Sequence, residues 1–312
     1  MEPSSERKLV LVKRKTRLED LLVRFNSASQ AKFYVEHLGA DFSDYEQEHQ
    51  EYVASVAESL ECLGRHGRPY VLERNFLTNF IFGPQDIVFA IGQDGMVANI
   101  LKYLSGQPLV GVNPSPSRWD GVLLPFQSRD LPAVLPEILR GTRKCKEVSM
   151  ARATLNDGQT MLAVNDLFVG QRSHVSARYE LALGDQLERQ SSSGIIISTG
   201  LGSTGWLKSV LAGAAGVVRA AGEGEPEVRV QGPFDWGARY LYFSVREPYP
   251  SKATGAGLVF GQITGSCPLR ITSQMPENGV IFSDGIENDF LEFNSGMEAH
   301  IDLADHKGLL VV

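Results

Sequence analysis

Three short stretches of this 312-residue chain combine residue types that could do chemistry. In the first, Gly92-Gln93-Asp94-Gly95 follows the apolar run of residues 86–91 and precedes Val97, Ile100, Leu101 and Leu104, which are spaced for one face of a helix. A strand, a tight glycine loop and a helix start, in that order, turn backbone N–H groups toward an anion, and the helix dipole favours negative charge there. An Asp-Gly turn that merely caps a helix has the same pattern. In the second stretch, Asn165-Asp166 interrupts an apolar run expected to be one strand over residues 161–169. A carboxylate there could accept both hydroxyls of a ribose; a strand bulge or a sheet end is the other reading. In the third, residues 199–204 place two glycines and three hydroxyl side chains before a helix expected to start at Trp206. They are donors for phosphate or ribose, or simply a turn. A P-loop is excluded, because no Lys precedes the Ser or Thr.

The elements that must position these residues divide into two kinds. Residues 9–12, 70–72, 86–91 and 109–112 read as buried strands. Between the first two, Tyr52, Val53, Val56, Leu60 and Leu63 form the buried stripe of a helix over residues 43–65. Strands alternating with helices predict a parallel sheet covered on both faces. From residue 147 the period changes to two: residues 150–155 and 161–169 flank the hairpin signal Asn156-Asp157-Gly158, and residues 175–183 alternate up to Gly184-Asp185. A further strand is expected at 195–197, and residues 212–225 read as a helix end plus an exposed loop. The expectation is α/β: a first domain built on a parallel sheet with helices on its faces and a β-rich second one.

Bulk properties narrow the function. At 34.2 kDa the chain exceeds what one core usually serves, and 43% hydrophobic with 21% charged residues is an ordinary globular composition. A net charge of −7 argues against a nucleic-acid partner. The single basic cluster, residues 8–17, reads as the solvated flanks of the first strand. Cys62, Cys145 and Cys267 are scattered and not spaced as metal ligands, which suits free thiols in a reducing compartment. No apolar run approaches the roughly 20 residues of a membrane helix. We therefore expect a cytoplasmic protein with no membrane partner.

In order and content the three stretches resemble the NAD kinase family, over about residues 86–292. Gly92-Gln93-Asp94-Gly95 is similar to its Gly-Gly-Asp-Gly loop, Asn165-Asp166 to its Asn-Glu pair, and residues 199–206 to its Thr-Pro-Thr-Gly-Ser-Thr-Ala-Tyr segment. Residues 109–113 also resemble the family's next strand, and residues 191–206 the branch containing mitochondrial NAD kinases. Gln93 departs from a glycine, Met96 from a threonine, Ser193 from an aspartate common in bacterial members, and Asp166 is one methylene shorter than glutamate. The resemblance implies transfer of the terminal phosphate of ATP to the adenosine 2′-hydroxyl of NAD with Mg2+ present, giving NADP. Asp94 would be the base. Gly92 and Gly95 would contact the nucleotide through their backbone, with Asn165, Asp166, Ser193, Thr204, Gly205, Trp206 and Ser209 holding it; no metal ligand is assigned. It also implies a homodimer or homotetramer. The domains it implies are a Rossmann-like α/β domain over residues 1–140, a β-rich dinucleotide-binding domain over 141–290 and a return of residues 291–312 to the first. Two alternatives stay open: a lipid kinase sharing the loop, and a nucleotide-binding regulator of the same fold with weak or no turnover.

Overall fold

In the computed structural model, which describes residues 7–221, 232–286 and 289–312, the run Ile87–Ile91 is a strand with every residue buried. An all-apolar strand demands cover on both faces, which helices supply in a parallel sheet. In chain order the elements are β1 (Leu9–Lys13), α1 (Arg17–Phe25), α2 (Ala28–His37), α3 (Phe42–Gly64), β2 (Tyr70–Glu73), β3 (Ile87–Ile91), α4 (Asp94–Leu101), β4 (Pro108–Val112), α5 (Leu131–Leu139) and β5 (Cys145–Val148). There follow β6 (Ala151–Leu155), β7 (Thr160–Ala163), β8 (Asp166–Gln171), β9 (Ala177–Leu183), β10 (Gln186–Ser192), β11 (Ile195–Ser198) and α6 (Trp206–Ala221). The chain finishes with β12 (Tyr240–Val245), β13 (Phe260–Thr264), β14 (Leu269–Ser273), β15 (Gly279–Ser283), β16 (Phe290–Glu292), β17 (Glu298–Leu303) and β18 (Gly308–Val311).

Two units result: one runs to Lys146 and takes up Gly308–Val312, the other is Glu147–Lys307. The first holds a sheet of order β2-β1-β3-β4-β18-β5, in which β1 is parallel to β2 and β3, and β4 to β3 and β18. One face, Leu9, Leu11, Phe89, Ile91, Val110 and Val112, packs on Tyr52, Cys62 and Leu63 of α3 and on Leu131, Leu135 and Ile138 of α5. Val53, expected in the buried stripe, is 46% exposed, since the stripe runs through Tyr52, Val56, Leu60 and Leu63. The helix α4 ends at Leu101, so buried Leu104 belongs to the turn after it. α1 starts sharply because Thr16 and Glu19 form a capping box: the Thr16 hydroxyl accepts the Glu19 N–H (3.2 Å) and the Glu19 carboxylate accepts the Thr16 N–H (2.7 Å).

The second unit is two six-stranded sheets, β10-β9-β14-β17-β6-β7 and β13-β12-β11-β8-β15-β16. Leu167, Val169, Ile197, Phe243 and Ile281 of one meet Ala153, Tyr179, Leu181, Ile271 and Ile301 of the other in a shared core. The helix α6 lies on the outer face of the second sheet, where Trp206 and Val210 pack with Phe168, Ile196 and Phe282. The run 161–169 is two strands and not one: β7 pairs with β6, β8 with β11 and β15, and the chain changes sheets at Val164-Asn165. Residues 291–292 and 298–303, expected within the return to the first unit, lie in strands of the second, paired with β15, β14 and β6. Of the described residues after 290, those of β18 join the first sheet. α6 runs on to Ala221, and the remainder of the loop expected by residue 225 lies outside the described residues.

Candidate active site

The order β2-β1-β3-β4 reverses direction between β1 and β3, so the chain leaves these two neighbours on opposite ways and a crevice opens beyond their carboxyl ends. Gly92-Gln93-Asp94-Gly95 occupies that end of β3. The Gly92 N–H still donates to the Val112 carbonyl of β4 (3.3 Å); Gln93 is extended at the helix N-cap, its side chain making no cap bond. Asp94 is the first residue of α4, and its Oδ1 accepts the Leu123 N–H at 2.7 Å. The carboxylate is thus tethered to the loop after β4. That loop can come so close because Gly111 has no side chain: a Cβ there would lie 2.0 Å from the Leu123 carbonyl oxygen. Around a Cβ at Gly95 nothing lies within 4 Å, so the loop is open on that side, whereas a Cβ at Gly92 would meet Met96 Sδ at 2.8 Å. Met96 is buried and fills the space beneath the loop. Behind it, the Tyr52 hydroxyl accepts the Arg14 N–H (2.8 Å) and donates to the Ile91 carbonyl (3.2 Å), tying the ends of β1 and β3 together. Burial pushes this phenol up to about 12, so it stays a donor.

In the second unit the structure brings Asn165 and Asp166 against residues 199–206. The Asn165 carbonyl accepts the Thr199 N–H (3.0 Å), and Gly202 sits so near that a Cβ would lie 2.2 Å from the same carbonyl oxygen and 2.8 Å from Asp166 Oδ1. The change of sheets leaves three N–H groups without ladder partners, and the Asp284 carboxylate accepts them: Val164 (3.1 Å), Asn165 (2.7 Å) and Asp166 (3.3 Å). Asp284 reaches them from a left-handed backbone, φ 54°, at the turn after β15. Asp166 Oδ1 is buried and has no hydrogen-bond partner among the described residues. Burial, reinforced by the Asp284 charge and opposed by the Ser198 hydroxyl, raises the Asp166 carboxyl to about 7.

The hydroxyls of residues 199–204 divide by role. Thr199 Oγ1 donates to the Val164 carbonyl (2.5 Å) and Ser203 Oγ to the Gly200 carbonyl (2.6 Å), both within the buried turn. Thr204, Gly205 and Ser209 are exposed. Trp206 opens α6, stacked on Phe168 (centroids 5.8 Å, 12°) beneath the Arg246 guanidinium (5.5 Å). Ser193 is exposed in the turn between β10 and β11, its N–H donating to the Arg246 carbonyl (2.9 Å). Phe168, Trp206, Arg246 and Phe282 wall a cavity of about 190 Å³. Asp284 and Arg246 escaped the sequence reading. Asp284-Gly285 offered the same Asp-Gly turn signal as residues 157–158, but the N–H groups its carboxylate accepts lie more than a hundred residues earlier. No three His, Cys, Asp or Glu side chains among the described residues are grouped to hold a metal ion.

A doubly wound α/β unit with a glycine-aspartate loop at its switch point, followed in the chain by a two-sheet β unit, defines the class of fold, and the comparisons narrow it. No family model matches the chain. An NAD kinase of Ralstonia nicotianae is 30% identical over 179 residues, 50% of this chain and 57% of that protein. One of Cupriavidus pinatubonensis is 35% identical over 136 residues, 40% of the chain and 42% of the relative. The chain thus spans about half the length of the curated relatives it matches. Among solved structures, an NAD kinase from Archaeoglobus fulgidus in complex with ATP superposes with a TM-score of 0.57 at 17% identity, covering 98% of this chain and 94% of the other. Yeast NADH kinase complexed with NADH gives 0.58 at 15%, covering 99% and 84%. The chain is related in sequence to NAD kinases and has their fold. The α/β-plus-β-rich architecture expected from the sequence is the one observed.

Proposed function

We propose that this protein is an NAD kinase, moving the terminal phosphate of ATP to the adenosine 2′-hydroxyl of NAD. The observation that carries the reading is Asp94, a carboxylate at the helix start beyond β3 with one oxygen tethered to the Leu123 N–H. As the 2′-oxygen bonds to the terminal phosphorus and the bond to the ADP oxygen breaks, the hydroxyl proton passes to the Asp94 carboxylate. The Gly92 and Gly95 backbone lines the nucleotide there. Asn165 and Asp166 hold the dinucleotide through its ribose, with Thr204, Gly205, Trp206 and Ser209 along its other side and Ser193 contributing where other members carry an acid. Catalysis of this kind is mostly positioning and charge neutralisation, because the phosphoryl transition state is loose. Mg2+ usually keeps several waters and binds through substrate phosphates with one or two carboxylates, so the absence of a three-residue cluster among the described residues fits a metal carried by the donor. It supplies neutralisation of the donor phosphates.

The test is incubation of purified protein with NAD, ATP and magnesium, with NADP read by a coupled dehydrogenase. NADP should appear only when all three are present. Measurable NAD binding without NADP would favour the regulator. A cytoplasmic homodimer or homotetramer goes with this reading; light scattering at the 34.2 kDa monomer mass under assay conditions would refute the assembly. Among the described residues no helix is long and apolar enough to cross a membrane.

A further inference from the structure

Residues 113–125, between β4 and α5, carry no helix or strand, yet Leu123 in this loop donates the N–H that holds Asp94 Oδ1. A loop of this length without regular structure has many conformations open to it, and pinning its ends leaves the middle free. The ends are pinned here: the Asn113 N–H donates to the Phe126 carbonyl (2.7 Å) and the Phe126 N–H to the Gly111 carbonyl (3.4 Å). Holding Leu123 in register with Asp94 needs further restraint between them.

Carboxylates of α3 supply it by clasping two side chains of the loop. Arg118 Nη1 donates to Asp44 Oδ1, and Ser115 Oγ donates to Glu51 Oε2 (2.5 Å). Both carboxylates are anchored on their own side, Asp44 by Arg17 Nη2 (2.8 Å) and Glu51 by Gln47 Nε2 (2.8 Å). Arg17, expected from the sequence to be part of a solvated flank, thus secures the clasp from α1. Hydrogen bonds from Arg17 and Arg118 hold the Asp44 carboxyl below its usual range, and those from Ser115 and Gln47 do the same for Glu51, so both stay charged at neutral pH. The restraint is passed along the loop. The Arg118 and Trp119 N–H groups donate to the Ser115 carbonyl (3.0 and 3.1 Å), the Asn113 side-chain nitrogen donates to the Trp119 carbonyl (3.0 Å), and a Cβ at Gly121 would lie 2.4 Å from that nitrogen. The Gly121 carbonyl then accepts the Leu124 N–H (3.0 Å), closing the turn that presents Leu123 to Asp94.

We infer that Arg118 is a positioning residue for phosphoryl transfer: clasped to Asp44, it holds the loop after β4 so that the Leu123 N–H fixes one oxygen of Asp94 and leaves the other to take the proton. Its part in the reaction rests on the proposed role of Asp94 as base. Without the clasp the tether slackens and the carboxylate turns about its own bond, and misplacing a reacting group by about 1 Å costs on the order of 10²-fold in rate. Arg118 is the member to vary, because its removal strands no charge. Asp44 keeps Arg17, and Arg118 Nε is buried with no hydrogen-bond partner among the described residues.

In Arg118→Ala the turnover number should fall about tenfold to a hundredfold, with the KM for NAD and for ATP each within about twofold and the melting temperature nearly unmoved. Arg118→Lys keeps the charge and should recover most of the loss. The control is Arg65→Ala, which breaks an exposed ion pair with Glu61 (2.6 Å) at the far end of α3 and should leave turnover unchanged. A residue that works through Asp94 has nothing left to do once Asp94 is replaced, so adding Arg118→Ala to Asp94→Asn should lower turnover by less than about twofold. A further fall as large as in the wild-type background overturns the inference, as does unchanged turnover in Arg118→Ala itself. Amide exchange at Leu123 reads the clasp without the reaction: protection should drop in Arg118→Ala and persist in Arg65→Ala. If Asp94→Asn turns over normally, the base reading falls and exchange alone judges the clasp. Lost protection at Leu123 in Arg118→Ala then upholds it, and retained protection overturns it.

Discussion

Asp94 and Asp166 are both carboxylates next to backbone turns, and their surroundings set them to different work. Asp94 has one oxygen tethered to a backbone N–H and stands at the start of α4. A positioned base of this kind is worth on the order of 10²–10⁴ in rate. Asp94→Asn keeps the size and leaves the helix undisturbed, so the melting temperature should hold and NAD binding persist while turnover falls by about that factor. Near-normal turnover in this variant would end the case for Asp94 as base. Asp166 is half-buried with its Oδ1 shut away from solvent, and its carboxyl is raised from 3.8 to about 7. Between those values the native state binds more protons than the unfolded chain, so stability falls as pH rises through the window and is flat above it. Asp166→Asn removes the buried charge. It should be more stable than wild type by on the order of 4 kcal/mol at pH 8, the difference vanishing toward pH 4. Wild-type affinity for NAD should rise between pH 6 and 8 as the ribose acceptor ionises, and the variant should lack that rise. A stability difference independent of pH would remove the buried-carboxylate account. Both carboxylates were visible in the sequence, because a polar pair inside an apolar run and an aspartate between glycines are local signals. Asp284 was not, since what it satisfies is a set of N–H groups created only when β8 and β15 pair.

At the scale of elements, legibility followed burial. Strands covered on both faces, such as β3 and β4, showed as uninterrupted apolar runs. The misreading came at residues 161–169, where β7 and β8 both feed the shared core and the Asn165-Asp166 pair that marks the change of sheet was read as an interruption within one strand. α1 and α2 were missed for different reasons: Leu18, Leu21, Leu22 and Phe25 of α1 are spaced for one helical face and were legible, whereas α2 buries only Ala31 and Val35 and shows little periodicity. The turn over residues 199–205 has its own requirement. A Cβ at Gly200 would lie 1.9 Å from the Asp235 carbonyl oxygen, and one at Gly202 would press on the Asn165 carbonyl beside Asp166. Gly202→Ala should therefore cost about 1–3 kcal/mol and raise the KM for NAD by displacing Asn165-Asp166. Gly213, in α6 with nothing within 4 Å of an added Cβ, is the control. Gly213→Ala should stabilise by about 0.4–1 kcal/mol and leave kinetics alone. Thermal melts and steady-state kinetics on the pair check this, and equal effects of the two substitutions would refute the packing argument.

For the molecule as a whole, the chain leaves its first sheet once and comes back to complete it. After β17 it delivers β18 between β4 and β5, where Leu309 and Leu310 pair with Pro108 and Leu109, and Leu310 and Val311 are each 1% exposed. The Val312 N–H donates to the Lys144 carbonyl (3.0 Å), and Arg143 donates to the Val312 carbonyl (2.7 Å). Without β18 the ladder groups of β4 and β5 lose their partner in the interior of the sheet, and unpaired buried backbone groups cost about 1–3 kcal/mol each. Gly308 makes the fit tighter still, since a Cβ there would meet Leu101 of α4 at 2.8 Å. The second unit, by contrast, closes its two sheets entirely within Glu147–Lys307. Deleting residues 308–312 should strip amide-exchange protection from β4, β5 and α4 while β9, β14 and β17 keep theirs. Tryptophan reports in the same sense: Trp119 belongs to the first unit, and Trp206 and Trp236 to the second. Single-tryptophan versions of the truncated protein should show an early transition only at Trp119. Simultaneous loss of protection in both units, or none in β4, would mean that the last strand is not what closes the first sheet.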